Sequence, residues 1–206
     1  MTTERPILFS GPMVRAILDG RKTQTRRIVN RFGHIGGQRF SRVSDFGEGK
    51  KSQDDFIFRD KRGTWNEADI NDILLACPHG GPGARLWVRE TWQCNAATDN
   101  DIVFRATDPA WGEEMDGWRW RPAIHMPRTH SRLTLEISGI RLERLREITE
   151  SDAMAEGVEP ILVPPDGGSD PHVEGFRALW DTLNAKRGFG WDVNPWVWVI
   201  EFRKVD

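Results

Sequence analysis

Leu133-Thr134-Leu135-Glu136-Ile137-Ser138-Gly139-Ile140-Arg141-Leu142 is the longest strand signal in the chain. Apolar and polar residues alternate along it, as they do in a strand with one face in a core. Leu133, Leu135 and Ile137 share one parity, whereas Ile140 and Leu142 share the other. The change falls at Ser138-Gly139, where a β-bulge keeps all five apolar side chains facing inward.

Towards the C-terminus, Thr149 to Ala155 reads as a short helix. Thr149 is its cap, Asp152 stands three residues on, and Gly157 ends it. Residues 163–171 form a Pro/Gly/Asp loop. Val173, Phe176, Leu179, Trp180 and Leu183 then make an apolar helical stripe. Trp196 to Phe202 is apolar on both faces until Glu201, as a central strand is. Towards the N-terminus, Ile102 to Ala106 and Leu86 to Glu90 read as strands, the latter after a turn-rich run, Pro78 to Gly83. Phe56 to Phe58 and Trp65 are the arms of a hairpin around Asp60-Lys61-Arg62-Gly63. Residues 32–54, rich in Gly, Ser and charge, read as a mobile loop or insertion. Pro6 to Phe9 is a short strand, and Ser10-Gly11-Pro12 starts a helix that Gly20 stops. Many short strands, few helices and a buried last strand predict an α+β protein, a small mixed β-barrel with a few flanking helices.

The 206 residues fit one domain with insertions. Ten Trp and ten Phe, with no Tyr, supply enough apolar surface for one core. A net charge of -2 excludes a chain that is basic throughout, so contact with nucleic acid needs a local patch. No run approaches 18 apolar residues, and no charged start precedes an apolar stretch, so neither a membrane span nor a secretory signal is expected. Cys77 and Cys94 form no C-x-x-C pair. A reduced, cytoplasmic protein is the main expectation, and a single disulfide the lesser one.

Gly20-Arg21-Lys22-Thr23-Gln24-Thr25-Arg26-Arg27 is the most informative segment for function. From Arg15 to Arg31 there are six basic residues and one acid, Asp19. The run from Arg21 to Val29 reads as exposed, and a charged strand edge in solvent is one account of it. The other is functional, because the run follows a helix-ending Gly and interleaves Thr23 and Thr25 with its cations.

This segment resembles the signature of the ASCH family in the PUA-like superfamily, Gly-x-Lys-x-x-Glu-x-Arg after a short helix. Gly20, Lys22 and Arg27 fill the pattern, and Thr25 stands where many members have Glu. Gly83-Ala84-Arg85-Leu86-Trp87-Val88-Arg89-Glu90 is similar to the family's Gly-Asp-x-Leu-Trp-Val-Arg-Glu strand, with Ala84 departing from Asp. The likeness resumes at Ile148-Thr149-Glu150, at Glu156-Gly157 and at Pro195 to Phe202. It implies a PUA-like barrel over residues 1–206, with insertions at about 32–80 and 107–125 like those of longer, phage-associated members. Within the family, the small bacterial N4-acetylcytidine amidohydrolases use a Lys, a Thr three residues later and a downstream Glu. The resemblance places these roles on Lys22, Thr25 and Glu156. Other members are ribonucleases or RNA binders, so fold alone does not assign the activity.

Amide hydrolysis by acyl transfer needs a nucleophile, a base and charge for the oxyanion. Thr25 supplies the hydroxyl and Lys22 a base, its ammonium disfavoured by Arg21, Arg26 and Arg27. In a plain strand residues 22 and 25 point to opposite faces, so a bend around Thr23-Gln24 is required. Glu156 precedes a helix-ending Gly, where the helix dipole favours cations rather than a carboxylate. It is either an exposed Glu paired with an Arg or a group that orients Lys22 or activates water. Trp118-Arg119-Trp120-Arg121, with His125, Arg128, His130 and Arg132, interleaves aromatic and basic groups. That suits stacking and phosphate contact, or a packed Trp pair with its Arg side chains in solvent. Cys77, His79, His125 and His130 match no zinc spacing, and neither metal nor cofactor is expected.

The expected activity is removal of an N4-acyl group from a modified cytosine nucleoside or nucleotide, by Lys22, Thr25 and Glu156. The expected substrate contacts are Arg21, Arg26, Arg27, Trp87, Arg89, Glu90, Trp120, Arg121 and His125. The alternatives are a non-catalytic module binding single-stranded RNA or DNA, and a ribonuclease, each using the same basic cleft. No membrane partner is expected.

Overall fold

The computed structural model describes residues 4–29, 40–42, 55–59, 65–94, 101–112, 119–162 and 170–205. In chain order the elements begin with β1 (Glu4–Leu8), α1 (Gly11–Leu18), β2 (Gln24–Ile28), β3 (Phe40–Arg42), β4 (Asp55–Arg59), β5 (Trp65–Asp69) and α2 (Ile70–Leu75). They continue with β6 (Arg85–Arg89), β7 (Trp92–Cys94), β8 (Ile102–Phe104), β9 (Thr134–Arg144), α3 (Glu150–Ala155), α4 (Pro171–Asn184) and β10 (Trp196–Val205).

Five strands form the main sheet, in the order β1-β6-β9-β10-β2. Only the β1–β6 pair is parallel; the others are antiparallel, and the protein is α+β. The bulge expected in β9 is present. Opposite β10, Glu201 pairs with Gly139 and Phe202 with Ile137, so Ser138 is the extra residue. Ser138 is exposed, while Leu133, Leu135, Ile137 and Leu142 are buried. β10 is buried from Trp196 through Ile200 because it has a core on each side. Trp196, Trp198, Ile200 and Phe202 join Leu86, Leu135 and Ile137 in the main core. Val197 and Val199 join Phe176 and Trp180 of α4 on the other face. The pattern without alternation is thus explained by cover on both faces.

Three expectations need correction. The barrel does not close: β1 and β2 are both edges, and no backbone ladder joins them among the described residues. An Arg27 side chain bridges them instead, its guanidinium donating to Leu8 O at 2.7 Å. The basic segment is not exposed either; Lys22, Gln24, Thr25 and Arg26 are all buried. Pairing of β2 with β10 and cover from α3 and α4 account for this, with carboxylates matching the buried charge. Third, residues 32–54 are not wholly a loop, since β3 pairs with β4 in a separate sheet of order β3-β4-β5. The β4–β5 pair is the expected hairpin; its turn, residues 60–64, lies outside the described residues, as do 163–169 of the Pro/Gly/Asp loop.

Candidate active site

α1 ends at a left-handed Gly20 (φ 73°), and the amides of Arg21 and Lys22 both donate to Ala16 O, at 2.8 and 2.9 Å. This turn leaves Lys22 outside β2, which begins at Gln24. The parity conflict between positions 22 and 25 is removed because only Thr25 obeys the strand's alternation. Lys22 is fully buried, and its ammonium has three acceptors: Gln24 O at 2.8 Å, Glu156 O at 2.8 Å and Glu156 Oε2 at 2.7 Å. A lysine ammonium has three hydrogens, so each has a partner. Burial pulls the Lys22 pKa below the ordinary lysine range; Glu156 opposes the shift, and Arg27 and Arg26 add to it.

Glu156 is the residue just past α3, and it too is buried. The Lys22 ammonium on its side chain and on its carbonyl is the cation that a helix C-terminus favours. The exposed-Glu alternative is excluded. Gly157 makes the docking possible: its φ is 72°, and a Cβ there would lie 2.8 Å from both Ala16 Cβ and Lys22 Cβ. The Thr23 amide also donates to Ala155 O at 2.8 Å, tying the same turn to the end of α3.

Behind this pair lies an ionic network. Arg26, with no exposed side-chain surface, meets Glu156 at 3.4 Å, Asp152 at 3.1 Å and Glu143 at 3.2 Å. Arg141 joins Glu143, Asp152 and Glu201. Burial alone would raise the Asp152 carboxyl, but Arg26, Gln24, the Thr149 amide and Arg141 outweigh it and hold it below the usual range. Asp152 thus serves both as the third residue of the α3 capping box and as an anchor for β2.

Thr25 pairs with Ile200, and Arg27 with Trp198, so both lie on the inner face of β2, whereas Arg26 pairs with Val199 on the α4 side. Arg27 stacks over Phe9 at 5.2 Å and Arg26 over Phe176 at 5.8 Å. A cavity of about 550 Å³ opens where the β1 and β2 edges fail to join. Its walls include Ile7 and Leu8 of β1, Thr25 to Ile28 of β2, Pro78 and His79, Glu156, and one side of α4. That size falls in the range of small-ligand sites. The Thr25 hydroxyl has no hydrogen-bond partner among the described residues, and the residue lines this space.

Of the residues expected at the site, Thr25, Arg26, Arg27 and Glu156 line the cavity, and Lys22 is not among its walls but is bonded to Glu156. Arg21 is half-exposed on the other side of the turn, paired with Asp19 and Glu159. The remainder lie away from the cavity walls. Arg89 stacks on Trp87 at 5.2 Å and donates to the carbonyls of Met126 and Ile124. Glu90 is buried in a two-pronged pair with Arg132 at 2.9 and 3.0 Å. Arg121 stacks on Trp92 at 5.1 Å, and His125 is exposed in a short helical turn. Trp120 is partly buried nearby, and Trp118 lies outside the described residues.

His79 and the α4 wall formed by Phe176, Leu179, Trp180, Leu183, Asn184 and Arg187 were not expected at the site. The α4 stripe is legible as periodicity, but nothing in it says that the helix walls a cavity. His79 carries no local signal beyond the turn in which it stands.

No family model matches the chain, and no curated protein matches it. Among solved structures, the crystal structure of an ASCH domain from Lactobacillus crispatus is 11% identical, with a TM-score of 0.41. The alignment covers 98% of this chain and 79% of that one. The chain is similar to an ASCH domain. Among the described residues no cluster of three or more metal-ligating side chains occurs, and no helix is long and apolar enough to cross a membrane.

Proposed function

We propose that the cavity is the active site of a hydrolase that removes an N4-acyl group from a cytosine nucleoside or nucleotide. The observation that carries this reading is a threonine hydroxyl, without a partner among the described residues, in a cavity that Glu156 also lines, with buried Lys22 bonded to that Glu156. The same three residues are those that resemble the Lys, Thr and Glu of the N4-acetylcytidine amidohydrolases.

In the proposed reaction, Lys22 first passes a proton to Glu156 and becomes a neutral amine; burial and the neighbouring arginines favour that form. Lys22 then takes the Thr25 proton as Thr25 Oγ1 bonds to the acyl carbon. The resulting oxyanion is stabilised by Arg26, which lines the cavity and whose bond to Glu156 loosens once that carboxylate holds the proton. Collapse breaks the C–N bond, and the Lys22 proton goes to the departing exocyclic amine. Water then attacks the threonyl ester as Lys22 takes its proton. The acyl–Oγ1 bond breaks, Lys22 returns that proton to Thr25 Oγ1, the acyl group leaves as a carboxylic acid, and Glu156 gives its proton back to Lys22.

The test is incubation with N4-acetylcytidine, with cytidine release followed by chromatography beside Thr25→Ala and Lys22→Ala. Release by the wild type and its loss by about 10²-fold or more in a folded Thr25→Ala is expected. Full turnover by Thr25→Ala would remove the nucleophile from that residue. A folded wild type without turnover would overturn the hydrolase reading.

A further inference from the structure

We infer that the ligand of this cavity carries a phosphate, held at the mouth by Arg187 and Arg27, which makes it a nucleotide rather than a neutral nucleoside. This inference rests on the cytosine reading above and deepens it. It starts from an imbalance of charge around one space. The two buried cations beside the cavity are matched, Lys22 by Glu156 and Arg26 by Glu143, Asp152 and Glu156. Arg27 and Arg187, in its walls, form no ion pair among the described residues, and Glu156 acts on Arg27 only at longer range. Arg27 donates to Leu8 O at 2.7 Å, and its buried Nε has no partner. Arg187 donates to Asn184 Oδ1 at 3.1 Å. Neither meets a carboxylate among the described residues, and Glu156, the one acid among the described lining residues, is already shared.

A third cation stands behind the wall. Arg5 holds Pro78 O at 2.6 Å, next to His79. The His79 imidazole responds to this surrounding: burial first, then Arg27 and Arg5, lower its pKa to about 4, so it is neutral at pH 7. An uncompensated positive region is therefore present in a chain whose net charge is -2.

Position and chemistry agree. Arg187 closes the short helical turn that continues α4 (Ala185–Arg187), and Gly188, at φ 81°, ends it. Asn184, buried on the same helix, holds the exposed arginine by its amide oxygen. Two guanidinium groups suit a phosphate better than a neutral sugar, because each presents paired N–H donors to paired oxygens. A pyrimidine ring would lie against the apolar α4 wall, Phe176, Leu179, Trp180 and Leu183. The same phosphate chemistry comes from a free mononucleotide or from a residue within an oligonucleotide.

The experiment is calorimetric titration of the full chain with cytidine, cytidine 5′-monophosphate and a short oligocytidylate, for wild type and Arg187→Gln. The monophosphate is expected to bind about tenfold or more tightly than cytidine, since charged hydrogen bonds are gained. The ratio should shrink with added salt and fall towards one in Arg187→Gln. Tighter binding of the mononucleotide than of the oligonucleotide assigns the phosphate to a free nucleotide, and the reverse assigns it to a polymer. In parallel, the His79 ring titration followed by NMR should move upward when cytidine 5′-monophosphate is bound, because an anion offsets the arginines. Equal affinity for cytidine and its monophosphate, with His79 unmoved, overturns the phosphate inference and leaves the hydrolase reading standing. Phosphate-dependent binding without turnover of an N4-acetylated nucleotide does the opposite.

Discussion

Glu156 occupies a place that a carboxylate ordinarily avoids, buried and just beyond a helix C-terminus. What makes it tenable is Lys22, which neutralises the carboxylate and caps the helix carbonyl with the same ammonium. The two are consequently more dependent on each other than a surface pair would be. Replacing Glu156 by Gln leaves a shape close to the original but strands a buried ammonium and weakens the hold on Arg26. The expected cost is about 3–5 kcal/mol, the usual penalty for removing one partner of a buried pair. Urea unfolding monitored by circular dichroism measures it. A loss under about 1 kcal/mol, the size of a surface ion pair, would show that the pair is solvated rather than buried. Buried charge of this kind is also poor evidence of stability by itself, and its presence here is compatible with the proposed role of Lys22 as a base.

At the scale of elements, β9 depends on one extra residue. Ser138 makes no inward contact, yet it sets the register of all residues before it. Deleting it would place Leu133, Leu135 and Ile137 on the outer face, since a one-residue slip inverts a strand. Each of these is buried, and burial of such a side chain stabilises by about 1.5–3 kcal/mol. The sum approaches the whole stability of an ordinary domain. The Ser138 deletion is therefore expected to unfold the protein or lower its melting temperature steeply, while Ser138→Ala stays within about 0.5 kcal/mol of wild type. A thermal melt of both variants decides this. An unchanged transition in the deletion would mean that the bulge moves elsewhere at no cost.

Over the whole molecule, the cavity exists because the sheet does not close. β1 and β2 each use one edge for pairing and leave the other facing the cavity, with Arg27 spanning the gap. β9 and β10, by contrast, are paired on both sides and share the longest ladder. Hydrogen exchange is expected to follow this order. Amides of β10 from Val197 to Ile200 should exchange only by global unfolding, and those of β1 and β2 earlier, by local opening. Ligand in the cavity should then slow exchange most in β1 and β2. Uniform protection across all five strands would contradict the open-edge description.

Much of this was legible along the chain. Parity located the β9 bulge at Ser138-Gly139, apolar residues on both faces marked β10 as central, and Thr149, Asp152 and Gly157 bounded α3. Those features depend on side chains within one or two turns of each other, so local pattern determines them. The grouping of Lys22 and Thr25 with Glu156 came only from family resemblance; contact across 134 positions in the chain leaves no periodicity to read. The burial of Lys22 and Arg26 is not readable along the chain for the same reason. Their counter-ions, Glu143, Asp152 and Glu156, arrive from β9, α3 and the turn after α3. By itself, then, the sequence determined the strands, the caps and the chemical types available. Only tertiary structure decided that two sheet edges stay apart, that α4 walls the gap and that His79 and Arg187 border it. Those outcomes depend on how distant elements pack, and packing assigns burial and charge compensation together.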